Sequence, residues 1–271
     1  MVKKKLLITL AVFFLAVLAV LLILFLGRDA APAGKNNAVS QSSLVSQAKD
    51  LAARGKLPEA KGVWQKLIMD FSNSAEVMKW QKELENINIK LLFSPRITAG
   101  SLLYEIKPGD TLSKIARAHN TTSELIKKCN GLATDTIVPG KKIKVWTAPF
   151  SILVDKSQNT LLLKANEEII KTYIVSTGKN NSTPAGNFKI ASKLINPTWF
   201  KAGAVVPAES PENILGTRWL GFDLPGYGIH GTTQPQDLGR QVTQGCVRMS
   251  NPEVEELYLI VPPGTEVTIV D

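Results

Sequence analysis

The stretch His230-Gly-Thr-Thr-Gln-Pro-Gln-Asp-Leu-Gly-Arg-Gln-Val-Thr-Gln-Gly-Cys246-Val-Arg-Met249 decides how the C-terminal half of this 271-residue chain is read. It holds the one histidine and the one cysteine of that half. An imidazole in reach of a thiol is the minimum equipment for cysteine nucleophilic catalysis, because the thiolate is the attacking species. Gly245 precedes the cysteine, and Asn251-Pro252 then caps and starts a helix, so the thiol is expected in a tight loop. Backbone N–H groups of Gly245 and Cys246 could there face a developing oxyanion.

The surroundings predict strands. Ile152–Asp155 and Thr160–Lys164 flank a polar turn and form a hairpin. Ile169–Val175 and Gly186–Ile190 alternate, Glu266–Val270 closes the chain, and one short helix runs from Asn251 through Tyr258. The His-Gly-Thr and Thr-Gln-Gly-Cys-Val-Arg-Met runs resemble the signature of the L,D-transpeptidase (YkuD-like) catalytic domain. Ser182-Thr-Pro-Ala-Gly-Asn-Phe188, Asn196-Pro-Thr-Trp-Phe200 and the run Gly216 to Gly231 are similar to that family as well, so the resemblance spans 149–271.

The resemblance implies that Cys246 is the nucleophile, His230 the base, and the Gly231 carbonyl the group that orients the imidazole. Gly245 belongs to the catalytic set, and Thr232, Thr243, Gln244 and Arg248 are the expected substrate-binding residues. Many family members read Ser-His-Gly-Cys where this chain has Thr243-Gln244-Gly245-Cys246. Gln244 can hydrogen-bond but cannot titrate, which leaves His230 as the general base. Arg248 could hold a substrate carboxylate with its bidentate fork or brace the loop against a backbone carbonyl. Trp199, Phe200 and Trp219 could equally pack a core or line a cleft.

Upstream, Tyr104-Glu-Ile-Lys-Pro-Gly-Asp-Thr-Leu112, then Ile115-Ala116 and Asn130-Gly-Leu132, lie in a strand-helix-helix-strand pattern. Asp110 or Thr111 is expected to cap the first helix, and Thr121 with Glu124 has capping-box spacing for the second. This segment resembles a LysM module, which implies binding of wall glycan. Cys129 falls on the inward face beside Leu125 and is expected to be a small buried core residue. His119 is expected in a solvated loop.

Residues 43–92 turn helical in period, with apolar faces Leu44/Ala48/Leu51, Trp64/Leu67/Ile68 and Trp80/Leu84/Ile87/Leu91. Gly55-Lys-Leu-Pro-Glu-Ala60 with Trp64 resembles one tetratricopeptide turn, which is short of an independent solenoid. A packed spacer and a protein-docking surface are both open. Residues 6–26 form an uncharged apolar run about 30 Å long as a helix, enough to span a bilayer, while Ala31-Pro32-Ala33 offers a signal-peptidase pattern and keeps a cleaved signal as the alternative. Lys3, Lys4 and Lys5 would keep the N-terminus in the cytoplasm.

The net charge of +9 does not indicate nucleic-acid binding. Segment 149–271 has ten basic against twelve acidic residues, and the basic excess sits near the N-terminus and in 101–148. Two cysteines far apart could pair, but a bridge would consume the candidate nucleophile, so free thiols are expected.

The expected plan is therefore multidomain. It comprises a transmembrane signal anchor (1–28), a linker (29–42), a small all-α tetratricopeptide-like segment (43–95), a LysM βααβ module (102–147) and a β-rich catalytic domain (149–271). The family resemblance implies a peptidoglycan L,D-transpeptidase on the outer side of the cytoplasmic membrane, acting through a cysteine thioester without metal or organic cofactor. Its partners would be peptidoglycan stem peptides and glycan, with a protein partner possible at the helical segment. Alternatives are a carboxypeptidase or endopeptidase, a protein-attachment enzyme, or a non-catalytic wall-binding scaffold.

Overall fold

Three amphipathic helices open the described part of the chain: α1 (Gln41–Ala53), α2 (Leu57–Asp70) and α3 (Val77–Leu92). The computed structural model describes residues 40–271 other than residue 202. The apolar run 6–26 lies outside the described residues, and among those no helix is long and apolar enough to cross a membrane. Helix α1 starts at Gln41, inside the stretch expected to be linker. The expected apolar faces close on one another, with Leu44, Ala48, Trp64, Leu67, Trp80, Leu84 and Ile87 in one small core. Gly55 takes φ +71 between α1 and α2, a conformation open to glycine, and Pro58 sits in the first turn of α2.

The next segment is β1 (Ser101–Glu105), α4 (Leu112–Ala118), α5 (Ser123–Asn130) and β2 (Lys142–Trp146). β1 and β2 pair antiparallel from Ser101↔Trp146 to Glu105↔Lys142. Thr111 caps α4, accepting from Lys114 N. Asp110 instead accepts from Tyr104 Oη and Lys107 N. The cap of α5 is Thr122, one residue after the expected Thr121. Thr122 accepts from Leu125 N while its hydroxyl donates to the Leu259 carbonyl, and this tertiary bond sets the frame. His119 ends α4 and packs edge-on against Tyr104 rather than standing free in solvent.

The C-terminal part is built on an eight-stranded sheet. Its strands are β3 (Phe150–Asp155), β4 (Thr160–Ala165), β5 (Glu168–Ile174), β7 (Gly186–Ile195), β10 (Arg218–Phe222), β11 (Gly228–His230), β13 (Val247–Arg248) and β14 (Glu266–Val270). They lie in the order β13-β11-β10-β7-β14-β3-β4-β5. Four short strands stand apart: β6 (Thr177–Gly178) pairs parallel with β12 (Gln241–Thr243), and β8 (Trp199–Lys201) pairs with β9 (Ala204–Val206). Helix α6 (Asn251–Ile260) buries Val254, Leu257 and Ile260 in the sheet core. Its cap is Ser250, which accepts from Glu253 N, so the expected cap Asn251 is instead the first helical residue.

The segments do not hang on loose linkers. Leu92 of α3, Leu125 of α5 and Trp146 of β2 belong to the same buried core as the large sheet. Along the edge strand β5, Asn88 Nδ2 donates to Ile169 O, Thr172 Oγ1 to Glu85 Oε1, and Lys61 pairs with Glu168 at 2.6 Å. The helices thus cover a strand edge that would otherwise show unpaired backbone groups. A further fastener is Lys144, 1 % exposed, whose Nζ donates to the carbonyls of Leu91, Leu92 and Ser94 at 2.8, 3.2 and 3.0 Å. The ammonium caps the C-terminal, negative end of α3 from another segment. Replacing it by methionine (Lys144→Met) strands buried carbonyls. The expected cost is about 2–3 kcal/mol, read as a lower urea midpoint.

Candidate active site

Two strands carry the chemistry to one place. β11 ends at His230, and β13 follows Cys246 immediately; they pair parallel with Ile229↔Val247 and His230↔Arg248. The pairing brings the ends of the long intervening loop together and sets His230 beside Arg248. His230 is 3 % exposed and stacks on Trp219 of β10, with ring centroids 5.9 Å apart and planes at 18°. Trp219 therefore neither fills the core nor faces open solvent; it backs the imidazole.

Nδ1 of His230 lies 2.7 Å from the Gly231 carbonyl. A carbonyl only accepts, so Nδ1 carries the proton and Nε2 keeps its lone pair. The Gly231 carbonyl is itself held by its surroundings. Asn251 Oδ1 accepts from Thr217 N at 3.2 Å and Thr232 N at 3.0 Å, tying the loops on either side together. A Cβ added at Gly231 or Gly216 would stand 2.2 Å from that oxygen, so neither position has room for a side chain. Asn251 thus braces the loop that follows His230.

Cys246 is half-buried, and its Sγ lies 3.5 Å from the Gly226 carbonyl. Burial pushes the thiol up, against the opposing pull of the Gly228 amide and the Arg248 charge. Burial likewise brings His230 down to about 4, outweighing the Gly231 and Leu215 carbonyls, while the Arg248 charge lowers it further. The resting pair is therefore a neutral thiol and a neutral imidazole.

The turn before the thiol is closed by Thr243. Its hydroxyl donates to the Cys246 carbonyl at 2.6 Å and accepts from Gly245 N at 3.2 Å. That occupies the Gly245 amide, so of the two expected oxyanion donors the Cys246 N–H is the one without a partner among the described residues. Gly245 takes φ +133, and a Cβ there would meet Tyr227 Cε1 at 2.7 Å. Tyr227 lines the site although the sequence marks it only as part of a family-like run.

Two cavities meet at Cys246. One, about 450 Å³, is lined by His230, Thr243, Gln244, Arg248 and Tyr227; the other, about 280 Å³, by Leu194, Pro197, Thr198 and Trp219. Trp199, Phe200, Leu215 and Gly226 border both. Phe200 is 75 % exposed, so it lines a cleft and packs no core. Gln244 is exposed at the rim. Arg248 is 5 % exposed, with Nη1 3.5 Å from Gln234 Oε1 and 4.0 Å from Asp237, and its Nε has no partner among the described residues. Thr232 does not line either cavity: it is buried, and its hydroxyl accepts from Gln234 N. Cys129 is buried and pushed up to about 11 by desolvation. Both thiols are free.

Residues 149–269 match the model of the L,D-transpeptidase catalytic domain, YkuD, and residues 104–146 match the LysM domain. A putative L,D-transpeptidase YkuD of Bacillus licheniformis is 35 % identical over 176 residues, which covers 62 % of this chain and 98 % of that protein. The chain belongs to the L,D-transpeptidase family. The Bacillus subtilis counterpart, also named putative L,D-transpeptidase YkuD, is 34 % identical over the same shares, 62 % and 98 %. The putative L,D-transpeptidase YqjB of B. subtilis is 40 % identical over 126 residues, 44 % of this chain and 70 % of that protein. A solved L,D-transpeptidase from Mycobacterium smegmatis superposes at a TM-score of 0.39 with 21 % identity, covering 50 % of this chain and 65 % of that one. Family membership makes this chain an enzyme and removes the scaffold alternative.

The neutral resting pair has a measurable signature. Alkylation of Cys246 should accelerate about tenfold per pH unit between pH 6 and 8, since only the thiolate reacts. Cys129 should stay unmodified in the folded protein. A rate that is flat across that range would mean a preformed thiolate–imidazolium pair.

Proposed function

We propose that this protein is a peptidoglycan transpeptidase in which Cys246 forms a thioester with a donor stem peptide and His230 moves the protons. The observation that carries the reading is the meeting of two cavities at Cys246, one of which also holds a histidine in the Nε2-accepting tautomer. Sγ attacks the carbonyl between the diamino residue at position three and the terminal D-alanine. As the S–C bond forms, the thiol proton passes to Nε2 and the carbonyl oxygen gains charge beside the Cys246 N–H. The C–N bond then breaks, Nε2 returns the proton to the leaving amine, and D-alanine departs.

The second half reverses the first with a different amine. The side-chain amine of an acceptor stem attacks the thioester, loses a proton to Nε2, and the sulfur leaves as thiol, giving a cross-link between two third-position residues. Leaving and entering amines both need Nε2, so both occupy the larger cavity that His230 lines. Arg248, buried there with an unpartnered Nε, suits a substrate carboxylate beside that amine. Gln244 stands at the cavity rim and takes no proton, so in this reading the reaction runs on one base.

The LysM segment would hold the glycan of the same polymer and raise the local concentration of stems. The apolar run 6–26 would anchor the enzyme in the cytoplasmic membrane with the catalytic domain outside.

Incubation of the protein with tetrapeptide muropeptides, read by mass spectrometry, tests this. Dimers formed with loss of D-alanine are expected. They should vanish in Cys246→Ala and fall by about 10² to 10⁴ in His230→Ala. Tripeptide monomers alone would make the acceptor water, and dimers persisting in Cys246→Ala would refute the mechanism.

A further inference from the structure

Lys156, the residue after β3, is 3 % exposed and belongs to none of the motifs in the sequence. It lines neither of the cavities at Cys246. Its Nζ donates to the Thr183 carbonyl at 2.9 Å and pairs with Asp271 Oδ1 at 2.8 Å. Asp271 Oδ1 also accepts from Asn181 Nδ2 at 2.9 Å. One ammonium–carboxylate pair thus grips the loop after β6 at two points, Asn181 and Thr183.

That loop is packed against the thiol's own turn. Thr183 is fully buried, and its hydroxyl accepts from Gly178 N at 2.7 Å. Gly178 pairs with Thr243 in the short parallel ladder of β6 and β12. Thr243 in turn donates to the Cys246 carbonyl and accepts from Gly245 N. A second contact runs alongside: the Ser182 carbonyl lies 3.2 Å from where a Gly245 Cβ would stand. Lys156 also accepts from Gln241 Nε2 at its own carbonyl, at 3.3 Å, which ties it to the start of β12. Every link from Lys156 to Cys246 is a hydrogen bond, a strand pairing or a close packing contact.

We propose that Lys156 is a positioning residue for Cys246: its ammonium fixes the Thr177–Thr183 loop, and that loop fixes the Gly245–Cys246 turn. The inference rests on Cys246 being the nucleophile. An amine on a long stem suits the task, since it reaches a buried carbonyl and a carboxylate at the protein surface together. A turn that must present both a thiol and a backbone N–H to one carbonyl loses rate steeply when it drifts.

The test compares Lys156→Met, Lys156→Arg and Thr183→Val in three measurements: turnover on tetrapeptide muropeptides, the alkylation rate of Cys246 at pH 7, and the melting temperature. Lys156→Met is expected to stay folded and to lose about ten- to a hundredfold in kcat with little change in KM. Its Cys246 alkylation should rise, because a loosened turn admits water to a thiol now held protonated by burial. Lys156→Arg should recover most of kcat. A folded Lys156→Met with wild-type kcat would overturn the proposal, as would equal falls in turnover and alkylation that track the folded fraction.

If Lys156→Met does not fold, Thr183→Val decides, since it keeps the carbonyl that Lys156 holds and removes the hydroxyl on Gly178. Unchanged kcat and alkylation in Thr183→Val would then overturn the proposal. A wild-type protein that makes no dimers would refute the transpeptidase reading, while the alkylation rates would still test the positioning.

Discussion

The site depends on one short parallel pairing, Ile229↔Val247 with His230↔Arg248. Two or three residues per strand are too few to be stable alone, so the pairing borrows its stability from the sheet beside it. Trp219 backs the imidazole, Asn251 ties the loops around Gly231, and Ser176 pairs with Arg248 from the other side. Held this way, the imidazole needs no carboxylate to fix its tautomer; the Gly231 carbonyl does it. A carbonyl carries no full charge, so it does little to stabilise an imidazolium, and burial keeps His230 neutral down to about 4. The arrangement keeps the imidazole neutral, with its proton on Nδ1.

Sequence logic goes far where side-chain chemistry is local. The strand–helix–helix–strand segment, the hairpin of β3 and β4 and the three amphipathic helices are all legible from periodicity, because each buries one face. Frames are less legible. Thr122 caps α5 where Thr121 was expected because a tertiary bond to Leu259 O selects it. Ser250 caps α6 and frees the Asn251 side chain for Thr217 and Thr232. Of the expected site residues, His230, Gly231, Gly245 and Cys246 come together with Thr243, Gln244 and Arg248. Thr232 turns its hydroxyl into its own loop. Tyr227 is marked only as part of a family-like run, and Leu215 and Lys156 not at all, because their places arise from strand pairings and loop contacts that leave no periodic trace.

The joints between segments had no signal in the sequence either. Lys144 reads as one more basic residue of the LysM segment, yet it is buried and caps a helix in another segment. Glu85 and Asn88 of α3 are buried as well, and both bond to strand β5 or its side chains. Their burial is tolerable because each finds a partner across the joint. The consequence is mechanical. Segments that share one core hold the LysM module in a fixed orientation to the sheet that carries Cys246, where a flexible linker would have let it wander.

The central claim is that Cys246 accepts the acyl group of a donor stem. The most direct measurement is mass spectrometry of the acid-quenched protein after mixing with a tetrapeptide donor in the absence of an acceptor amine. The account predicts an adduct on the Cys246 peptide with the mass of the donor less D-alanine, labile to hydroxylamine and absent in Cys246→Ala. Turnover of the donor with an unmodified Cys246 peptide throughout, or an adduct on another residue, would contradict it.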